Sequence, residues 1–170
     1  DKPENMAPLF ETILDAIPAP EGDPDGDTQV LISTIDYNEY VGRIGVGKVE
    51  RGTISVNQEL MLLNHHDPDK HERVKISKLY EFDGLNKVEV KSATIGAIVA
   101  ISGIADIHIG DTLCAGDNPE SIPFQKISEP TISMNFLVND SPLAGQEGKY
   151  ITSRHLRDRL YRELNTDVSL

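Results

Sequence analysis

The 170-residue sequence predicts a mainly β fold, an antiparallel barrel over residues 28–115 followed by a partial α+β unit over 131–170. Three observations predict it. Between 28 and 115, short β-branched runs alternate with turn signals, and almost no helical pattern interrupts them. Residues 116–130 form a linker of turn formers, Gly116-Asp-Asn-Pro-Glu-Ser-Ile-Pro123 and then Ser128-Glu-Pro130. Beyond it, one strand-like run and one amphipathic helix follow in the order of the first half of a split βαβ, ferredoxin-like unit.

The elements follow in order. Pro8 to Ile17 places Leu9, Phe10, Ile13, Leu14 and Ile17 on one helical face, with Pro8 suited to the first turn and Pro18-Ala19-Pro20 stopping the helix. Glu21 to Asp27 reads as a hydrophilic linker. Thr28 to Asp36 is the first strand. In Val41 to Val49 the apolar residues change parity, which predicts a β-bulge at Gly45 or Gly47. Arg51-Gly52-Thr53 turns the chain, and Ile54 to Leu63 returns.

Glu72 to Phe82 alternates, with Val74, Ile76, Tyr80 and Phe82 on one side and a break at Lys78-Leu79. Thr94 to Ile101 reads as a buried strand and Ile109 to Leu113 as a short closing one. Past the linker, Thr131 to Val138 is expected to be a strand and Asn139 to Lys149 a loop. Ile151 to Leu164 is expected to be a helix, capped at Thr152 or Ser153, with Ile151, Leu156, Leu160 and Leu164 inward. Thr166 to Leu170 begins a further strand. Both ends read as incomplete elements, because the amphipathic helix and the half unit each need more chain to pack against.

Composition narrows the function classes. The net charge of −12 opposes bulk attraction to nucleic acid, yet residues 1–40 hold ten acids against Lys2 alone and so carry −9 of it. The remaining sequence is near neutral, with its basic residues in clusters. No run of 18 apolar residues is present, so no helical membrane span is expected. A single cysteine, Cys114, fits a reducing compartment and a cytoplasmic protein.

Several short motifs invite a catalytic reading. Gly42-Arg-Ile-Gly-Val-Gly47-Lys48 approximates a phosphate-binding loop. However, Val49 replaces the magnesium-binding Ser or Thr, and strand-forming residues follow where a helix should open. Asp23-Pro-Asp-Gly26 and Asn86-Lys-Val-Glu89 approximate GTPase motifs but lack the buried strand that precedes them. His65-His66-Asp67-Pro68-Asp69-Lys70-His71 gathers metal-ligand types in what reads as a polar turn between strands. No catalytic residues, metal ligands or cofactor-binding residues are assigned from these motifs.

The glycine-rich strand, its basic residue, the Val-x-Arg-Gly turn and the later Gly-x-Ile-Val-Ala-Ile and Gly-Asp-Thr-Leu strands resemble the second domain of translational GTPases. That barrel is shared by elongation factors Tu and G. Two longer stretches sharpen the resemblance to the TypA/BipA GTPases: Ile35-Asp-Tyr-Asn-Glu-Tyr-Val-Gly-Arg-Ile-Gly-Val-Gly-Lys48, and Asn139-Asp-Ser-Pro-Leu-Ala-Gly-Gln-Glu-Gly-Lys149 with its flanks.

The resemblance implies a division into the last GTPase-domain helix plus linker (1–27), the second-domain barrel (28–115), a linker (116–130) and half of a third domain (131–170). It also implies that GTP and Mg belong to a domain outside these residues, and that the segment itself has neither cofactor nor catalysis. Its expected partners are ribosomal RNA and proteins, together with the parent's GTPase and C-terminal domains. The expected role is in stress adaptation and ribosome function or assembly. The candidate RNA contacts are Arg43, Lys48 and Arg51 on the glycine-rich hairpin, Arg73, Lys75 and Lys78 on another strand, and Lys149, Arg154, His155 and Arg157 in the third-domain part. The competing readings are a protein-interaction module without RNA contact and a self-contained phosphate site at Gly42–Lys48.

Overall fold

The computed structural model describes residues 5–19, 21–128, 130–146 and 148–167. Pro20 and residues 168–170, on which part of the expected helix stop and the expected final strand rest, lie outside that set. Helix α1 (Ala7–Ala16) forms as the periodicity requires, with a proline in its first turn. Its apolar side chains Leu9, Phe10, Ile13 and Leu14 are exposed.

Strands β1 (Gln29–Asn38) and β2 (Gly42–Arg51) make a long antiparallel hairpin, with Asn38 opposite Gly42. Gly42 takes φ +77° after the loop Glu39-Tyr40-Val41, as the left-handed position ending a three-residue hairpin loop requires. The expected bulge at Gly45 or Gly47 is not where the register shifts. One extra residue, Ser33, sits on β1 between Ile32↔Gly47 and Thr34↔Val46; another, Glu50, sits on β2 between Val30↔Val49 and Gln29↔Arg51. The glycines answer a different need, close approach. A Cβ on Gly47 would lie 2.2 Å from the Leu31 carbonyl oxygen, and one on Gly45 would lie 2.3 Å from Ile107 Cδ1.

The return segment is split into β3 (Thr53–Ser55) and β4 (Glu59–Asn64) by a turn with Asn57 at φ 65°. Next come β5 (Asp67–Lys75), β6 (Lys78–Asp83) and β7 (Asn86–Val90). The stretch read as one buried strand from Thr94 is also split, into β8 (Ser92–Thr94) and β9 (Ile98–Ser102), because Gly96 at φ +83° turns the chain between them. Strand β10 (Asp111–Cys114) completes the set.

The sheet runs β5-β4-β10-β1-β2-β9-β6-β7, all neighbours antiparallel, with β3 and β8 as a separate ribbon. Strands β5 and β6 are one bent segment. Its first half pairs with β4 and its second half with β9, so the ladder closes on itself. At the bend Ile76 exchanges backbone bonds with Asn57 (2.9 Å) and Gln58 (3.1 Å), and Ser77 N–H reaches Ser102 O at 3.0 Å. Closure leaves β7, which pairs with β6 alone, as an edge strand outside the ring.

The interior is filled by Val30, Ile32, Val49, Ile54, Leu60, Leu62, Val74, Ile76, Leu79, Val99, Ile101, Ile107 and Leu113. The bend inverts side-chain parity. Leu79, at the expected break in the alternation, is therefore fully buried, whereas Tyr80 and Phe82, expected on the side of Val74 and Ile76, are half-buried and exposed.

Both segments read as linkers lie against the barrel. Gly52 N–H bonds Asp23 O at 2.9 Å and Arg51 Nε bonds Asp27 O at 2.9 Å. On the other side Gln29 Nε2 reaches Glu120 O, Thr112 Oγ1 accepts from Ile122 N–H, and the Phe124 ring covers Gly110. Beyond the second linker, Thr131–Val138 is not a strand. No described segment runs alongside to form its ladder, and Ile132, Met134, Phe136 and Leu137 are exposed.

Helix α2 (Ser153–Glu163) begins two residues later than expected, because Thr152 is its N-cap and its Oγ1 accepts from His155 N–H at 3.3 Å. Leu156 and Leu160 are half-buried, while Ile151 and Leu164 are exposed. Together with Phe136, Leu137 and Val138 these helix leucines line an apolar cleft of about 500 Å³. The α+β unit is therefore represented, among the described residues, by its helix and an unpaired extended segment.

Candidate nucleic-acid interface

The barrel places its cations by strand register, and the register separates the three on the glycine-rich strand. Arg43 and Arg51 lie at opposite ends of β2, about 26 Å apart at the usual rise per residue. Arg43 Nη1 points to Ile107 O at 3.5 Å, and Arg51 holds Asp27 O. Lys48 faces outward and pairs with Glu50 at 2.8 Å. These three do not form one patch. Arg51 in particular is tied into the fold, bracing the acidic segment against the β2–β3 turn.

On the bent segment Arg73 and Lys75 both point outward from β5, flanking the buried Val74. Lys78, past the bend, bonds Glu89 of β7 at 3.3 Å, and that carboxylate raises its pKa. In the C-terminal part Lys149 is exposed. Arg154 and Arg157 share Asp158 at 3.8 and 4.0 Å, and His155 stacks edge-on against Tyr150 at 5.5 Å. Of the ten candidates, then, Arg73, Lys75 and Lys149 are the cations with no hydrogen bond or ion pair among the described residues.

Two lysines escaped the sequence reading. Lys91, exposed just before β8, also has no ion pair or hydrogen-bonding side-chain partner among the described residues. Lys70 is the opposite case. Its ammonium reaches Asp111 Oδ2 at 2.9 Å, Asp106 O at 3.2 Å and His108 Nδ1 at 3.2 Å. Asp111 is fully buried and also accepts from Asn64 Nδ2 and His108 N–H. A buried carboxylate with three donors is a structural joint; the strand-like pattern Gly110-Asp-Thr-Leu113 gave no sign that its acid points inward.

The catalytic-looking motifs resolve into ordinary architecture. Gly42–Lys48 is strand interior, with Gly45 and Gly47 buried, and no helix follows it. Asn86–Glu89 is strand β7. His65 and His66 are the two-residue turn of the β4–β5 hairpin, with Asn64 opposite Asp67 and His66 Nε2 bonded to Phe124 O at 2.9 Å. Among the described residues no group of three His, Cys, Asp or Glu side chains is arranged to hold a metal ion. No described helix is long and apolar enough to cross a membrane.

Residues 42–114 match the family model for elongation factor Tu domain 2. Across its full length the chain is 48% identical to the large ribosomal subunit assembly factor BipA of Synechocystis sp. (strain PCC 6803) and 43% identical to that of Escherichia coli (strain K12). It is 46% identical to the Bacillus subtilis (strain 168) protein of the same name over 98% of its residues. The chain spans only 27–28% of the length of these relatives. A crystal structure of a Thermus thermophilus protein superposes on 96% of this chain and 23% of its own, with a TM-score of 0.64 at 22% identity, which shows the fold alone. The closed barrel and the uninterrupted identity through both flanking segments lead to one assignment: over its whole length the chain corresponds to a segment of the TypA/BipA proteins.

Proposed function

We propose that this segment is the ribosome-docking portion of a TypA/BipA-type GTP-binding translation factor serving stress adaptation and ribosome function or assembly. It performs no catalysis itself. GTP and Mg bind, in this reading, to a domain of the parent outside these residues, and the parent works in the cytoplasm. The observation that carries the proposal is the whole-chain identity to proteins named large ribosomal subunit assembly factors, running through a barrel of the elongation factor Tu type.

The division at 1–27, 28–115, 116–130 and 131–170 is part of the same proposal. The exposed face of α1 would pack on the parent's GTPase domain, and the apolar cleft of α2 on its C-terminal domains. RNA contacts would be drawn from the exposed cations, which suit phosphate oxygens. Sedimentation of the 170-residue chain with purified ribosomal subunits tests the docking, and a parallel titration with labelled GTP tests the division of labour. Co-sedimentation without micromolar GTP binding is the expected result. GTP binding by this chain would overturn the reading. Absence from the ribosomal pellet, with α1 still capturing the isolated GTPase domain, would favour a protein-interaction module.

A further inference from the structure

We infer that the open edge of strand β7 pairs antiparallel with β7 of a second copy of this chain, about a two-fold axis at Val88, with Lys87 of each copy facing Glu89 of the other. The inference concerns a surface that the docking proposal does not use, and it goes beyond that reading.

The backbone supplies the edge. Among the described residues β7 pairs with β6 and with no other strand. The β6–β7 hairpin turns through two residues, Gly84 and Leu85, and closes at the pair Asp83↔Asn86, with Gly84 at φ +61°. In such a hairpin the closing pair is hydrogen bonded and bonded pairs then alternate along the ladder. Asn86, Val88 and Val90 therefore direct their N–H and C=O groups to β6. Lys87 and Glu89 direct theirs to the open edge, a template for a further strand.

The side chains select the register. Pairing about Val88 sets Lys87 opposite the copy's Glu89, and Glu89 opposite the copy's Lys87. All four of these residues turn their backbone groups outward, so both pairs form hydrogen-bonded rungs. Pairing about Lys87 would set two lysines face to face, and pairing about Glu89 two glutamates, each of which is unfavourable. Opposite charge and backbone direction thus agree on one register, and it is a two-fold one, as closed dimers require.

Each face of the joined strands is then accounted for. Lys87 and Glu89 share one face, where Glu89 already bonds Lys78 at 3.3 Å and Lys87 bonds Asp36. Across the junction the row reads Lys78, Glu89, Lys87, Asp36, with positive and negative alternating throughout. Val88 lies on the other face and is 46% exposed. In this register it meets the copy's Val88 in a non-hydrogen-bonded pair, the kind with the closer side chains, and both lose contact with water. The strand has five residues, so the contact is well below the roughly 1,200 Å² of a standard interface and the association is weak.

The test is disulfide trapping of the 170-residue chain carrying Val88→Cys, oxidised with copper phenanthroline at about 0.1 mM chain, where a weak pairing is populated. Native Cys114 is fully buried and does not compete. Tyr40→Cys, on a 95% exposed hairpin loop, measures random collision, and circular dichroism confirms that every variant is folded. Val88→Cys should form the covalent dimer roughly ten-fold faster than Tyr40→Cys, because the register holds the two thiols within reach. Adding Lys87→Glu, or separately Glu89→Lys, to Val88→Cys sets like charges opposite at both contacts and should slow trapping roughly five-fold. An equimolar mixture of those two variants restores opposite charges and should trap the mixed dimer, identified by mass, near the Val88→Cys rate. Trapping of Val88→Cys no faster than Tyr40→Cys would overturn the pairing. Fast trapping that ignores the charge variants would overturn the register and with it the inference. Fast trapping in this chain that disappears in the full-length parent would give the open edge to another segment of the parent, and would overturn a second copy as its occupant.

Discussion

The barrel and the stretch after residue 130 are both rich in large apolar side chains, yet they bury them very differently. Five of the eight residues Thr131–Val138 are large and apolar, and most of them face solvent, whereas Ile32, Leu62, Ile101 and Leu113 in the barrel are fully buried. What differs is the supply of partners. The barrel's bent segment pairs at both ends and closes the ladder, so each inward residue meets others from across the ring. The later stretch offers one extended segment and one helix, which is half of a core. Apolar pattern alone reports that a segment wants burial; only the count of pairing segments says whether it gets it.

The largest expected effect breaks the comparison if it fails. Leu62→Ala should lower unfolding stability by about 3 kcal/mol, since it empties a fully buried site, whereas Leu160→Ala on half-buried α2 should cost below about 1 kcal/mol. Urea melts followed by circular dichroism give both values. Equal costs would mean that the two regions unfold as one unit.

Next in size is the buried joint. Lys70 is 16% exposed and its partner Asp111 is 0% exposed, so Lys70→Met leaves a carboxylate buried with its cation gone. The expected loss is about 2 kcal/mol, below the usual range for fully buried pairs because water reaches the lysine. In Lys70→Met/Asp111→Asn the loss should partly recover. A double variant as unstable as the sum of the singles would show that the pair is not coupled.

Glycines sharpen the contrast further. Gly47→Ala drives a Cβ against the Leu31 carbonyl and should destabilise the barrel by about 2 kcal/mol. Gly148→Ala meets nothing within 4 Å. Its φ of +89° makes it locally unfavourable, but the barrel's melting midpoint should stay unchanged. A shift in that midpoint would couple the C-terminal stretch to the barrel.

Much of this was legible in the residues. Both helices, the Arg51-Gly52-Thr53 turn and the Thr152 cap follow from local chemistry, and so local reading finds them. Reading failed where the answer depended on a distant neighbour. The parity change read near Gly45 and Gly47 is no break in β2, where Gly45, Gly47 and Val49 keep one alternation on the buried side; the extra residue sits on the partner strand at Ser33, which no pattern within β2 encodes. The inward turn of Leu79 depends on closure at Ile76, and the state of each lysine depends on which acid lies across the sheet. Lys75 and Lys78 look alike in sequence, and only Glu89 on β7 distinguishes them.

The smallest effect is a pH dependence confined to the barrel. Lys87 of β7 bonds the Asp36 carboxylate of β1, and this bond, helped by Tyr37 N–H at 2.7 Å, holds the Asp36 pKa below its ordinary value despite partial burial. The unfolded chain therefore takes up this proton at a higher pH than the folded one. The stabilisation is present above the ordinary aspartate range and is lost as pH falls from about 4 through the lowered value. Both side chains are partly exposed, at 32% and 45%, so screening limits the contribution to a few tenths of a kcal/mol. Asp36→Asn should accordingly melt slightly below wild type at pH 7 and converge with it near pH 3. A gap that persists at pH 3 would assign the effect of the substitution to packing at the β1–β7 crossing rather than to charge.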